Sequence, residues 1–530
     1  MNARTFVGVN GSNTRYILVS LVLLGIALRT FHLLQSRPLW LDEAMIALNI
    51  IDRPYSGLLL PLKYDQSAPF LWLLVSKAVT DIFGHGEIAL RLLPFACGVS
   101  SLLLFSLLAY RHLSLFGAAA AIFLFSVLNS LVYYSGELKQ YSVDVLVTVL
   151  FMGLLLDHGT ALLRSGRGIA TLLGLGVAAV LFSHAATFVL LGVGGSLFIR
   201  AAVERDRRGM AVAAVIGLVW LAVFAGTLKL VASDSGALIA AMRKYWSEWF
   251  LPLDLWNPSH FADAVKILLR LPEGWGFPPS SVTLIVLLSM IGFIRTWRRT
   301  PILAVFFVTI LAGASLASML QFYPMTGRFI LFLAPAAIYL MAAGLAAASS
   351  AAPSLRIPIL FCGVLVIGLV TLEAAWQFKR TPAFGREELN KSVAHVAARR
   401  QPGDAVYVYY AAVPAFRFYG EPLTRAADGP VVYGRDPRAD WNYMLSDFRR
   451  ICGHRVWFVW SHRTALSGVD EIRLFEFAAA NLGRVLSREV YRDAGATLLD
   501  LTQSGDCSAL SIREPARPWI PDHPGFRPDS

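Results

Sequence analysis

The sequence predicts an α-helical polytopic membrane protein with a small C-terminal α/β domain outside the membrane. Three observations carry this reading. Hydrophobic residues make up 56% of the chain against 15% charged, the mean hydropathy is +0.58, and apolar runs of spanning length recur from Tyr16 to Trp376 before the composition changes. The formal net charge of +12 does not form one basic face. Its arginines cluster in short loops between apolar runs, where they act as orientation signals and argue against nucleic-acid binding.

The first span covers Tyr16 to Leu34. No small-residue cleavage site follows it, and Arg37 and Trp40 do, so it reads as a retained span with the N-terminus inside. The next stretch, Arg37 to Ile51, places Asp42 and Glu43 where the chain leaves the membrane. An aspartate costs roughly 3 kcal/mol at a bilayer centre and less near the interface, so the pair needs a reason. One reading makes Asp42 the N-cap of a short helix from Glu43 to Ile51, although Met45 at the third helical position leaves a capping box incomplete. The other makes the pair catalytic.

Gln35 to Glu87 is too polar, and too broken by Pro54, Pro61 and Pro69, to be one span. Within it, Ala44 to Ile51 and Pro69 to Phe83 read as interfacial helices, with Lys63 to Pro69 between them. Spans follow at Ile88–Tyr110, Leu115–Tyr134 and Val143–Leu163. Ile169 to Ile199 has basic residues at both ends, so it splits into two short spans turning at His184. Met210–Val231 leads to an outer segment, Ala232 to Pro279, rich in tryptophan and basic residues. Ser280–Ile294, Pro301–Leu320, Phe329–Ser349 and Ile357–Trp376 complete eleven crossings.

Beyond them Arg386–Arg400 has helical spacing, Ala405–Tyr410 and Val456–Trp460 read as strands, and Asp470–Asn481 as a helix. Val485–Tyr491 and Ala496–Leu501 form a hairpin. The expected organisation is a transmembrane domain over residues 1–380, an extracytoplasmic α/β domain over 381–514 and a Pro-rich tail over 515–530. Cys97 and Cys362 lie in apolar runs as core residues, while Cys452 and Cys507 lie in the outer domain, where an oxidising compartment allows them to pair.

With this topology Asp42, Glu43, Lys63, Asp65, Glu137, Lys139, His184, Lys244 and Arg328 all fall near the outer membrane surface. A transporter would carry ionisable groups at the bilayer centre, and this chain offers no convincing example there. An interfacial site suits transfer from a lipid-anchored donor to an acceptor outside. Moving a sugar from a polyprenyl phosphate to a hydroxyl needs a carboxylate to take the proton and cations to hold the phosphate. Asp42 and Glu43 offer the first, Arg328 and Lys139 the second, with arginine the better fork for phosphate. Structural readings stand beside these. Arg328 anchors a helix end, Lys139 neutralises Glu137 and His184 is solvated at its turn. No metal is demanded, although Asp42, Glu43 and Asp65 are compatible with a divalent cation.

WLDEA (Trp40–Ala44), DQSAP (Asp65–Pro69), FGHGEIALRLLP (Phe83–Pro94), ELKQYS (Glu137–Ser142) and TGRFILFLAP (Thr326–Pro335) resemble membrane glycosyltransferases of the GT-C fold. The nearest group is the bacterial family 39-like proteins related to protein mannosyltransferases and lipid A aminoarabinose transferases. The resemblance covers roughly the first 380 residues. It implies a polyprenyl-phosphate sugar donor, a lipid, glycan or protein acceptor, an inverting single displacement and a multi-pass position in the bacterial inner membrane. It also implies a catalytic acid in the first outer loop, matched by Asp42 with Glu43 adjacent, and a further acid in the second, matched by Glu137. Lys139, Tyr141, Arg328, Asp65, His184 and Lys63 are the expected substrate-binding residues, with Lys139 in a loop where relatives often carry arginine before the tyrosine. A flippase or exporter of lipid-linked saccharides is the alternative, and a membrane-anchored scaffold is a third reading.

Overall fold

The computed structural model describes residues 11–231, 243–347, 353–380, 386–425, 429–435, 442–463, 470–480 and 482–503. Residues 232–242, Cys507 and the expected tail 515–530 lie outside the described residues. The chain divides into two compact units, Met1–Ser36 with Ile50–Ala383, and Arg37–Asn49 with Phe384–Ser530. Residues 37–49 thus cluster with the C-terminal part of the chain rather than with the helices on either side of them in sequence.

The first unit is helical. Its early helices are α1 (Gly11–Leu34), α3 (Phe70–Phe83), α4 (Glu87–His112), α5 (Leu115–Val127), α6 (Asn129–Tyr133), α7 (Tyr141–Asp157), α8 (Gly166–Phe182), α9 (Ala186–Val203) and α10 (Arg207–Val231). Between α1 and α3 lies α2 (Leu41–Asp52), within which the division between the units falls. Longer apolar helices follow at Val282–Arg299, Pro301–Met319, Ala334–Ala347 and Pro353–Arg380. The first and third of these pack closely because of glycine. A Cβ on Gly292 would lie 1.8 Å from the Leu340 carbonyl oxygen and one on Gly344 2.0 Å from that of Leu288, so neither position admits a side chain.

Among the described residues eight helices are long and apolar enough to cross a membrane, or nine if one bent pair counts as a span. The expected eleven are not reached. The two remaining segments, α7 and α8, have 17 residues each. At 1.5 Å per residue each is about 26 Å long, short of a hydrocarbon core of about 30 Å.

The bent pair shows how a break is tolerated at membrane depth. Leu128 adopts an extended conformation (φ −62°, ψ 119°), and the chain turns by 56° between Leu115–Val127 and Asn129–Gly136. A break frees carbonyls that hydrocarbon cannot solvate. Arg29, buried inside α1, supplies the donors, reaching the carbonyls of Phe125 at 3.0 Å, Ser126 at 3.2 Å and Gly25 at 3.1 Å. The bend delivers Tyr133–Gly136 to the turn that carries Glu137 and Lys139.

The C-terminal unit contains a five-stranded sheet in the order β2-β1-β3-β5-β4, with β1 Ala405–Val408, β2 Val431–Tyr433, β3 Arg455–Ser461, β4 Arg484–Tyr491 and β5 Ala494–Asp500. β1 runs parallel to β2 and β3, while β5 runs antiparallel to β3 and β4. The helix and strand expectations for 386–400, 405–410, 456–460, 470–481 and the closing hairpin correspond to observed elements. β2 and the helices Val413–Tyr419, Glu421–Arg425 and Asn442–Ile451 were not expected. The core is aromatic and apolar, with Trp457 and Phe458 almost wholly buried. Cys452 is disulfide-bonded, and Cys97 and Cys362 are free.

Candidate functional site

In the membrane unit four distant segments converge through side chains. α7 begins directly after the turn Glu137–Gln140, in which the Lys139 amide donates to the Glu137 carbonyl at 2.7 Å. The turn approaches α1 closely, because a Cβ on Gly136 would lie 2.6 Å from Cδ2 of His32. The rings of Tyr133, Tyr134 and Tyr141 stack edge to face in sequence, with centroids 5.1 and 5.2 Å apart, and fix its shape. Glu137 is fully buried here, and Lys139 and Tyr141 are nearly so.

Lys139 Nζ donates to Gln66 Oε1 at 3.0 Å. Gln66 follows a turn at Lys63–Asp65 in which Tyr64 and Asp65 take left-handed backbone angles, φ 63° and 52°. Lys63 and Asp65 are exposed on this turn, and it is Gln66 and Ser67 that reach Lys139 and His184. Ser67 Oγ lies 3.5 Å from Nε2 of His184, which occupies the expected turn between α8 and α9. Burial pushes the His184 imidazole down to about 4, so it is neutral at pH 7. Next to it in sequence, Ser183 is buried, and its Oγ accepts from the Ala186 amide at 2.9 Å.

Arg328 enters from the other side. It starts the 3-10 turn Gly327–Leu333, whose Gly327 has φ 47° and whose carbonyls are held by Trp275 Nε1 (to Ile330, 2.9 Å) and Tyr323 Oη (to Phe329, 2.8 Å). Its guanidinium lies 5.8 Å from the Tyr141 ring centre and 5.7 Å from that of Phe329. The chain of contacts His184–Ser67, Gln66–Lys139 and Tyr141–Arg328 therefore joins positions far apart in sequence around two cations. Tyr141 was expected, whereas Gln66, Ser67 and Phe329 escaped sequence reasoning, since neutral side chains carry no charge pattern.

Asp42 and Glu43 belong to the C-terminal unit. α2 begins at Leu41, and its first helical hydrogen bond runs from the Ala44 amide to the Trp40 carbonyl at 2.9 Å. The capping expectation is thus corrected. Trp40 holds the cap position, and both acids lie in the first turn, where the helix dipole favours negative charge. Glu43 is fully buried and Asp42 half-buried.

The same unit contains a group that sequence reasoning did not single out. Among the described residues, ligand atoms of Glu387, His462 and Asp493 lie within 4.8 Å of one another. His462 Nδ1 donates to Glu387 Oε1 at 2.7 Å, and its ring stacks on Trp40 with centroids 6.5 Å apart. Burial opposes charge on His462, but the Glu387 hydrogen bond and the negative charges of Glu387, Asp493 and Asp42 outweigh it, so its pKa is raised. Burial raises the Asp493 carboxyl to about 6.

No protein-family model matches the sequence, and no curated protein matches it. Solved structures do. ArnT from Cupriavidus metallidurans in the apo state aligns at 13% identity over 94% of this chain and 100% of that one, with a TM-score of 0.54. The apo oligosaccharyltransferase from Archaeoglobus fulgidus aligns at 14% identity over 85% of this chain and 70% of that one, with a TM-score of 0.52. The AglB oligosaccharyltransferase of the same organism, in complex with an inhibitory peptide and a dolichol-phosphate, aligns at 11% identity over 92% and 74%, with a TM-score of 0.51. The chain has the GT-C fold of these membrane enzymes, and with its apolar helices it is a multi-pass membrane protein.

Proposed function

We propose that this chain is a membrane glycosyltransferase that moves a sugar from a polyprenyl-phosphate donor to an acceptor hydroxyl at the outer face of the membrane. The acceptor oxygen attacks the anomeric carbon, the bond from that carbon to the phosphate oxygen breaks, and the anomeric configuration inverts. Asp42 takes the hydroxyl proton as general base. Lys139 and Arg328 hold the phosphate as negative charge develops on the leaving group. Glu43 and Glu137 shape the site, while Tyr141, His184, Lys63 and Asp65 contact donor or acceptor. The membrane is the bacterial inner membrane, with the N-terminus cytoplasmic and the C-terminal α/β domain outside.

The observation that supports this most is the gathering of Lys139, Tyr141, Gln66, His184 and Arg328 in the membrane unit. Two cations on aromatic and amide supports suit a phosphate head group, and AglB, which has the same fold, is described in complex with a dolichol-phosphate. The test is to incubate the purified protein with a panel of polyprenyl-phosphate sugars and acceptors, following consumption of the lipid and the anomer formed. The reading expects one donor to be consumed, an inverted product, and loss of both with Asp42→Asn. A fully active Asp42→Asn protein removes the mechanism. Movement of intact lipid-linked sugar across vesicles without transfer supports the exporter instead.

A further inference from the structure

The group Glu387, His462 and Asp493 lies in the C-terminal unit, and the sheet register assembles it. β3 pairs with β5 so that Ser461 faces Ala494. One residue further on, His462 meets Asp493, and the His462 amide donates to the Asp493 carbonyl at 3.2 Å. Asp493 occupies the tight turn between β4 and β5, and its Oδ1 accepts from the Arg463 amide at 3.1 Å. Both residues take left-handed backbone angles, φ 55° and 42°. Glu387 precedes the helix Leu389–Arg399 and is held there by its neighbour, since the Glu388 amide donates to the Arg492 carbonyl at 2.9 Å.

Glu387 is 1% exposed. Its Oε1 accepts from His462 Nδ1 at 2.7 Å and from the Leu41 amide at 3.3 Å, while its Oε2 is buried with no hydrogen-bond partner. A carboxylate oxygen left in that state costs free energy unless something cationic meets it. Two other buried carboxylates of this unit are met by donors. Asp447 receives Tyr407 and Arg435, and Asp404 receives Trp457 and Arg455.

We infer that Glu387, His462 and Asp493 form a binding site for a divalent transition-metal ion, of which Zn²⁺ suits the ligands best. One imidazole and two carboxylates are a zinc ligand set with a position left for water or a further ligand. The ion replaces the Nδ1 proton of His462, and the separation between Nδ1 and the Glu387 oxygen widens from 2.7 Å to about 3.3 Å, the spacing expected between two ligands of a tetrahedral zinc. Metal uptake releases that proton to solvent. Because Glu387 also accepts from Leu41, the ion braces the start of α2, the turn that carries Asp42. The site stands whether or not the chain transfers sugar.

The test uses full-length protein in detergent, stripped with a chelator and titrated with Co²⁺ and then Zn²⁺. Bound metal is counted by mass spectrometry after desalting, and the cobalt complex is read by visible and X-ray absorption. One equivalent of Co²⁺ with imidazole in its ligand shell, displaced by Zn²⁺, is expected. Glu387→Gln and His462→Gln should each weaken binding at least 100-fold while eluting as folded protein, and Asp263→Asn, at an exposed carboxylate of the other unit, should bind as wild type. Absence of stoichiometric metal in the wild type overturns the site, as does an oxygen-only cobalt shell or full retention in His462→Gln. These readouts need no transferase activity, so failure here is distinct from failure of the proposed reaction.

Discussion

Two acids of the C-terminal unit and two cations of the membrane unit are held by different kinds of contact. In the C-terminal unit Asp447 and Asp404 meet arginines, so opposite charges compensate in place. In the membrane unit Lys139 donates to a neutral amide and Arg328 lies over two ring faces, contacts that orient a cation. Fixed ion pairs hold a fold, whereas oriented cations place charge where an anion can use it. The contrast therefore separates residues expected to matter for stability from those expected to matter for rate.

The largest effect should come from Asp42→Asn, which removes the proposed base. Transfer should fall by about 10³-fold or more with little change in thermal unfolding, since a positioned general base is worth roughly 10²–10⁴-fold. Next comes Arg328→Ala, expected to slow transfer about 10²–10³-fold as a lost transition-state donor. Arg328→Lys should recover only part of that, because lysine keeps the charge and loses the fork. Steady-state rates with saturating donor measure both. If Arg328→Ala instead lowered the unfolding temperature and spared the rate, the contrast between the units would fail.

The converse variants sharpen it. Arg29→Met leaves the carbonyls of Phe125 and Ser126 without their donor at the helix break, and should cost about 3 kcal/mol by unfolding in detergent. Asp447→Ala strands Tyr407 Oη and the Arg435 amide, and should cost about 2 kcal/mol, less than a fully buried pair because Arg435 is half exposed. Once corrected for the folded fraction, the rate of either variant should remain within a few-fold of wild type.

Much of this was legible beforehand for definite physical reasons. Apolar runs and basic flanks located the helices, because hydrocarbon demands both. The turn at His184 followed from positive residues at both ends of one run. The crossing count did not follow, because α7 and α8 fall at the length limit where composition alone does not decide. The break at Leu128 was hidden as well, since neither proline nor glycine marks it and its support is Arg29, about five turns into another helix. The charged candidates Lys139 and Arg328 were readable from type and position. Gln66 and Ser67 were not, and Glu387, His462 and Asp493 become a group only through the register that sets Ser461 opposite Ala494.

The smallest effect tests the membrane unit through a group that is held neutral. The folded pKa of His184 is lowered by burial to about 4, below the ordinary value of 6.5. In the window between these values the unfolded chain binds more protons than the folded one, so stability rises with pH across it. The contribution is fully present above about pH 6.5 and is lost as pH falls toward 4. Thermal unfolding of the wild type should therefore decline between pH 7 and pH 5, and His184→Gln, which keeps a partner for Ser67 and cannot titrate, should flatten that slope. An unchanged slope would mean that His184 is solvated after all, and it would return this turn to the structural reading that its sequence equally allowed.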